Sequence, residues 1–165
     1  MNNTKMFLFF LLLPLSAMAK APTQAPQQNA VASGHFLATK AGQEVLAKGG
    51  NAFDAAVAVS ATLSVVEPIS SGIGGGGLFL LRQAGTGRDV MIDARETAPH
   101  SATPDKFLDA GGQLDRDKSV NGPLSAGIPG LPAALVHLAR NYGRLPLKQS
   151  LAPAIGIARH GFEIY

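Results

Sequence analysis

The stretch that decides the fold runs from Asn51 to Gly77 and reads NAFDAAVAVSATLSVVEPISSGIGGGG. Its first part, Ala52 to Val66, is apolar almost all round, too short at fifteen residues to span a bilayer and too apolar for a surface helix. It predicts a buried helix whose alanines and serines let a neighbouring layer approach closely. Asn51 is a good N-cap, and Asp54 places a carboxylate at the positive helix end. Glu67-Pro68 ends the helix, because the residue before a proline is pushed out of the helical region.

The second part of this stretch, Gly72 to Gly77, formally matches the G-x-G-x-x-G pattern of dinucleotide-binding loops. That fingerprint requires a strand before the glycines and a helix after them. Here the order is reversed, so nucleotide binding is disfavoured. The glycines either let the backbone pass tightly beside another segment or a small ligand, or they simply form a loop.

The sequence on either side predicts an α/β layered fold of the α+β type with an antiparallel sheet. Towards the N-terminus, Val31–Thr39 predicts a strand interrupted by Gly34, and Lys40–Lys48 predicts a helix ended by Gly49-Gly50. Towards the C-terminus the predicted elements are a hairpin from Leu78–Gln83 and Arg88–Arg95 with a turn at Gly85-Thr-Gly87, a short helix at Pro104–Ala110, a polar loop at Gly111–Pro123, a helix at Pro129–Tyr142 capped by Gly143, and a helix at Leu147–His160 broken or offset at Pro153 and capped by Gly161.

Composition excludes several classes of protein and site. The 46% hydrophobic content is too high for a disordered polymer, and 165 residues favour one domain. Fourteen basic and eleven acidic residues form no basic run, so no nucleic-acid partner is expected. The absence of cysteine excludes disulfides and thiolate nucleophiles, and the four histidines lack metal-ligand spacing. We therefore expect neither a metal nor a cofactor.

Residues 1–19 have the three-part pattern of a secretory signal peptide. Lys5 supplies a positive charge, and Met6–Leu15 is a ten-residue apolar run, half the length of a membrane-spanning helix. Small residues in Ala17-Met-Ala19 then precede Lys20. A buried cytosolic helix is the alternative, although a core helix would rarely start at the initiator methionine.

Residues 20–30 are rich in Pro, Gln and Ala and predict a flexible leader, since they offer little apolar surface to bury. Folded sequence is expected to begin near Val31. We therefore expect an exported protein, periplasmic or secreted, with no stable membrane anchor after cleavage.

Arg95 is the candidate binding residue. It ends the predicted strand that starts at Val90, where its planar guanidinium could hold a substrate carboxylate at two points. An ion pair with Glu96 or Asp93 is the alternative, and the residues alone leave both open. No Gly-x-Ser-x-Gly or Ser-x-x-Lys signature occurs, so no catalytic nucleophile is recognised in this chain.

Several motifs together resemble the start of a γ-glutamyltranspeptidase (glutathione hydrolase). The likeness runs from about Val31 to Tyr165, with the motifs in the family's order and spacing. They are Asn51–Val59, Glu67-Pro68 with Ser71–Gly77, Ile92–Pro99, and Gly127-Ile-Pro-Gly130 followed by the helix through Tyr142-Gly143.

The resemblance implies an N-terminal-nucleophile hydrolase with an α/β/β/α sandwich, of which residues 31–165 are the N-terminal part of the large subunit. Such precursors cleave themselves, and the new N-terminal Thr of the small subunit acts as nucleophile with its own amine as base. The resemblance further implies transfer of a γ-glutamyl group from glutathione to water or an amino acid, with Arg95 holding the α-carboxylate of that group.

The chain departs from the family in ending at Tyr165, since family precursors are several times longer. The expected partners are thus a γ-glutamyl substrate such as glutathione, the rest of the large subunit and the small subunit, and the chain alone is expected to be inactive. Ala94 stands where many relatives carry Phe or Tyr, a difference that would alter the pocket wall. The alternative is a non-catalytic secreted binding module, or a decayed-gene fragment, that retains the Arg95 pocket.

Overall fold

The computed structural model describes residues 29–164. The predicted signal peptide and all but the last two residues of the predicted leader lie outside this range, so both stay predictions. None of the helices within it is long and apolar enough to cross a membrane. The elements are α1 (Phe36–Ala47), α2 (Ala52–Val66), β1 (Leu78–Gln83), β2 (Arg88–Asp93), α3 (Arg116–Val120), α4 (Leu131–Asn141) and α5 (Leu147–His160), with short 3-10 turns at Pro104–Phe107 and Pro123–Ser125.

Helix α2 is the centre of the fold and has the bounds that its sequence predicts. It packs against α1, α4 and α5, and its alanines permit the close approach that the sequence indicates. The main core combines Val57 and Ala61 of α2 with Leu81 of the hairpin, Leu138 of α4 and Ala154 of α5. This mixture of helices with an antiparallel strand pair confirms the α+β type.

The start of α2 is joined to the connection between α4 and α5. Asn51 and Asp54 form a capping box, as their spacing predicts, and the Asn51 side chain also donates a 2.7 Å hydrogen bond to the Tyr142 carbonyl. The fully buried Asp54 carboxylate accepts hydrogen bonds from the backbone amides of Arg144 and Leu145. The same carboxylate therefore caps one helix and fixes the position of a distant loop.

The predicted strand at Val31–Thr39 is wrong, because its second half is the first turn of α1. That helix begins at Phe36, and the Nδ1 atom of His35 accepts a 3.1 Å hydrogen bond from the Leu37 amide. The helical spacing of Ala38, Ala41 and Val45 lets all three be buried, and α1 packs against α2, which outweighs the local strand preference. The predicted end is correct, since Gly49 adopts a φ of 89°.

Strands β1 and β2 form the predicted antiparallel hairpin, with Leu80 opposite Met91. The inner face carries Leu81 into the core. The outer face carries three exposed apolar side chains, with 62% of Leu78, 72% of Leu80 and 60% of Met91 accessible to solvent. The charged side chains of the same face are Arg82, Asp89 and Asp93. This two-stranded sheet thus has one covered face and one exposed face on which an apolar patch lies beside charged residues.

Two predictions for the C-terminal half need correction. Gly111–Pro123 is not all loop, because the Asp115 side chain caps the five-residue helix α3. Helix α5 continues unbroken through Pro153, whose ring removes a helical hydrogen bond. Packing of α5 against α2, with Ala154 buried in the core, compensates for that loss.

Candidate functional site

Arg95 lies just beyond the end of β2, with its guanidinium mostly in solvent. Its backbone amide donates a 2.9 Å hydrogen bond to Oδ1 of Asp93, which turns the chain out of the strand. Its side chain is 64% exposed, and Nη2 lies 3.3 Å from Oε2 of Glu96. Among residues 29–164 this ion pair is the one polar contact of the guanidinium, which has five N–H donors in all. Donors remain for a ligand carboxylate.

The geometry agrees with both sequence-based interpretations of Arg95. The predicted ion pair is present with Glu96, whereas Asp93 accepts the amide of Arg95 and not its guanidinium. An exposed ion pair contributes only about 0–1 kcal/mol, because water screens it and two side chains must be ordered. A ligand carboxylate can therefore compete for, or add to, this contact.

Three glycines let neighbouring segments approach the backbone that carries Arg95. A Cβ atom on Gly76 would lie 2.5 Å from the Ala94 carbonyl oxygen and 2.8 Å from Cα of Arg95. One on Gly130 would lie 2.2 Å from the same oxygen, and one on Gly127 would lie 2.9 Å from Cβ of Glu96. The end of β2 is thus in direct contact with backbone from two other parts of the chain.

Backbone hydrogen bonds join these three parts. Gly77 and Ala94 exchange two bonds of 3.2 and 2.9 Å, and Thr97 and Ile128 exchange two of 3.2 and 2.8 Å. The first residue of α4, Leu131, donates to the carbonyl of Gly75. The loop of residues 72–77, hereafter the glycine loop, the end of β2 and the start of α4 therefore form one connected unit around Arg95.

A cavity of about 520 Å³, here called the serine cavity, lies between this unit and α2. Arg95 and Glu96 form part of its wall, together with the glycine loop. Four serines also line it: Ser60, Ser64, Ser70 and Ser71. Hydroxyls, backbone amides and one guanidinium are the groups that bind a small polar ligand carrying a carboxylate.

A second cavity, of about 740 Å³, shares the Arg95–Glu96 wall and is here called the leucine cavity. Its other lining residues are mainly apolar: Pro99, Pro104, Phe107, Leu108, Leu114 and Leu124. Beside it, a hydrogen bond from the Thr103 side chain lowers the pKa of the exposed Asp105 carboxyl, with help from its own backbone amide. Arg95 thus separates a hydroxyl-rich space from an apolar one.

Comparison with known proteins decides the family. A family model described as Gamma-glutamyltranspeptidase matches residues 38–165. The chain belongs to the γ-glutamyltranspeptidase family.

Curated members of the family are similar over most of this chain. It is 39% identical to a glutathione hydrolase proenzyme of Bacillus subtilis, covering 92% of this chain and 28% of that protein. It is 43% identical to the proenzyme of Escherichia coli, covering 84% of this chain and 24% of that protein. The chain therefore spans about a quarter of the length of these relatives.

A solved structure supports the same assignment. The γ-glutamyltranspeptidase of Helicobacter pylori superposes with a TM-score of 0.78 at 41% identity, covering 86% of this chain and 40% of that one. The predicted fold class, part of an N-terminal-nucleophile hydrolase, is confirmed by this likeness.

Sequence reasoning found Arg95 in this γ-glutamyltranspeptidase chain but missed its surroundings. Gly130 is the N-cap of α4, a position where glycine is common, so it gave no local signal of the close backbone contact. Ala94 is buried and is not among the residues that line either cavity. The histidines His100, His137 and His160 are exposed, and the described residues hold no cluster of metal-ligating side chains.

Proposed function

We propose that this chain is part of an exported γ-glutamyl hydrolase/transferase that acts on glutathione and other γ-glutamyl compounds. Its relatives are named glutathione hydrolase proenzymes, and it covers about a quarter of them. The observation that carries the proposal is the exposed Arg95 guanidinium, which has unused donors at the edge of the serine cavity.

In this proposal Arg95 binds the α-carboxylate of the γ-glutamyl group. Its planar fork offers two parallel hydrogen bonds to a carboxylate, which fix orientation as well as position. The Asp93 contact and the three glycines hold the backbone of Arg95, so the fork is presented from a well-defined strand end. The chain therefore supplies substrate binding and orientation.

The nucleophile in this proposal lies outside the chain. The hydroxyl oxygen of an N-terminal Thr attacks the γ-carbonyl carbon, and the amine of the same Thr takes the hydroxyl proton. The amine of the leaving group departs with a proton, and a γ-glutamyl ester remains on the Thr. Water or the amine of an amino acid then cleaves that ester.

Export to the periplasm or the medium is part of the proposal and is supported by the pattern in residues 1–19.

We propose that this chain is part of a longer protein. The role of Arg95 in substrate binding is tested by substituting this residue in that complete protein. Arg95→Lys keeps the charge but replaces the fork with a single ammonium. Charge-assisted hydrogen bonds contribute about 1.5–3 kcal/mol, so kcat/KM for a chromogenic γ-glutamyl anilide should fall about 10- to 100-fold. Arg88→Lys, at the other end of β2, is the matched control and should change little.

Two results would contradict this function. Unchanged kinetics for Arg95→Lys would reduce Arg95 to the surface ion pair with Glu96. Binding of glutathione by the correctly folded complete protein without turnover would support a secreted binding module instead.

A further inference from the structure

Gly130 has an ordinary backbone conformation but no room for a side chain. Its φ and ψ are −92° and −25°, values that any residue adopts. A Cβ atom there would nevertheless lie 2.2 Å from the carbonyl oxygen of Ala94 and 2.7 Å from that of Arg95. Glycine is thus required at this position by the closeness of the β2 end and not by the geometry of the turn.

Gly76, in the glycine loop, also has no room for a side chain although its φ is not positive. It is absent from the glycines with positive φ, which among the described residues are Gly49, Gly87, Gly112 and Gly161. A Cβ on Gly76 would also meet the Ala94 carbonyl oxygen, and it would lie 2.8 Å from Oε2 of Glu96. Two glycines that are far apart in the sequence therefore lie against the same peptide unit, the one that joins Ala94 to Arg95.

We propose that Gly130 and Gly76 are positioning residues for Arg95. They determine where the guanidinium fork lies relative to the serine cavity, although neither has a side chain to touch a substrate. This inference rests on the proposed function, in which Arg95 binds the α-carboxylate of the γ-glutamyl group.

A methyl group at position 130 has a predictable effect on Arg95. Real Cβ contacts are essentially never closer than 3.0 Å, so a 2.2 Å approach forces the Ala94 carbonyl and the start of α4 apart by about 1 Å. The strand register ends at the Leu78–Asp93 pair, and the two hydrogen bonds between Gly77 and Ala94 continue it by one residue. A displaced Ala94 carbonyl therefore strains this last pair and moves the backbone that carries Arg95. A misplacement of about 1 Å at an orienting group can reduce the rate about 100-fold.

The test is Gly130→Ala in the complete protein, with KM for a γ-glutamyl anilide and the inhibition constant of L-glutamate as readouts. Both constants should rise about tenfold or more, while kcat falls less, because the carboxylate contact is misplaced and the nucleophile is not. The Cβ of Gly127→Ala would lie 2.9 Å from Cβ of Glu96 but 3.5 Å from the Thr97 carbonyl oxygen, an ordinary backbone contact, so this variant should give a smaller rise.

Gly143→Ala is the matched control for a steric clash. Its Cβ would lie 2.5 Å from Oδ1 of Asp54 and 2.7 Å from the Ala139 carbonyl, so the clash is of similar severity. It lies beyond the other end of α4, an eleven-residue helix that is roughly 16 Å long. This variant should lower the melting temperature without raising KM. An equal rise in KM for Gly143→Ala would overturn the proposal.

A double-mutant cycle with Arg95→Ala separates the positioning role of Gly130 from the substrate-binding role of Arg95. If Gly130 acts through Arg95, adding Gly130→Ala to Arg95→Ala should raise KM by less than about twofold. Additive effects, or an unchanged KM in Gly130→Ala when Arg95→Ala raises it, would overturn the positioning role alone. An unchanged KM in Arg95→Ala would overturn the proposed function itself. If Gly130→Ala does not fold, the same cycle with Gly76→Ala tests the positioning role by the same comparison of KM values.

Discussion

Asp54 accepts a 2.9 Å hydrogen bond from the backbone amide of Arg144, ninety residues later in the chain. The same carboxylate accepts the amide of Asn51 at 2.9 Å and that of Leu145 at 3.3 Å, and it is fully buried. Burying a carboxylate costs free energy because it loses its contacts with water. The three N–H groups offset this cost because each of them donates a hydrogen bond to a carboxylate oxygen. This residue therefore connects the start of α2 to the start of α5 through chemistry that no apolar side chain could replace.

Asp54→Asn should destabilise the protein by roughly 2–3 kcal/mol. The amide group has the same shape, but its NH2 would face backbone N–H donors that need an acceptor. The measurement is the midpoint of urea unfolding, followed by circular dichroism. Asp89→Asn, in the exposed ion pair with Arg82, is the control and should cost less than about 1 kcal/mol. Equal losses for the two variants would contradict the role of Asp54.

Polar substitution of the outer hairpin face should reduce self-association of residues 20–165. Leu80 and Met91 are directly opposite each other and both exposed, so Leu80→Lys with Met91→Glu replaces an apolar pair by a cross-strand ion pair. Light scattering after size-exclusion chromatography should show a larger monomer fraction. Leu81→Lys, on the buried inner face, should instead unfold the protein. No gain in monomer for the double variant would mean that another surface drives association.

Export should remove residues 1–19 and leave Lys20 as the mature N-terminus. The reason is the positive charge at Lys5, the apolar run Met6–Leu15 and the small residues before the cleavage point. Intact-mass measurement of the exported protein decides this. Soluble exported protein that still carries Met1 would contradict the prediction.

Residues 20–165 alone should show no γ-glutamyl activity. Acyl transfer needs an activated nucleophile, a base within reach and donors aimed at the oxyanion, whereas in the proposed function this chain supplies only the carboxylate contact at Arg95. The assay is release of the chromophore from a γ-glutamyl anilide by purified protein, compared with a mock preparation. Turnover that Arg95→Ala abolishes would mean that a nucleophile within this chain has been overlooked.

The elements that the sequence predicts well are those whose pattern has one physical interpretation. Ala52–Val66 is apolar all round and bounded by an N-cap and a proline, and the structure confirms both ends. The segment before it has two interpretations, because Val31–Thr39 suits a strand locally, while Ala38, Ala41 and Val45 suit a helix only if α2 lies beside them. The contact with α2 decided the outcome, and tertiary packing is not visible in a local pattern.

The candidate site likewise combines a residue that the local sequence reveals with residues that matter only after the chain has folded. Arg95 is predictable as a candidate because a guanidinium at a strand end either binds a carboxylate ligand or forms an ion pair, and the ion pair with Glu96 is present. Gly130 is not, because its importance lies in the distance to the Ala94 carbonyl, which exists only once α4 and β2 have come together. Pro153 is the converse case, a strong local signal for a helix break that packing of α5 overrides.

The position of α2 in the chain also sets an order of assembly during synthesis. Among the helices that cover it, α1 precedes α2, whereas α4 and α5 follow it. The pairing of α1 with α2 closes a short loop and can form early, but the core around Val57 and Ala61 is not complete until α4 and α5 have left the ribosome. For that interval part of the apolar surface of α2 faces water, and this helix is therefore exposed to chaperones and to association with other unfinished chains.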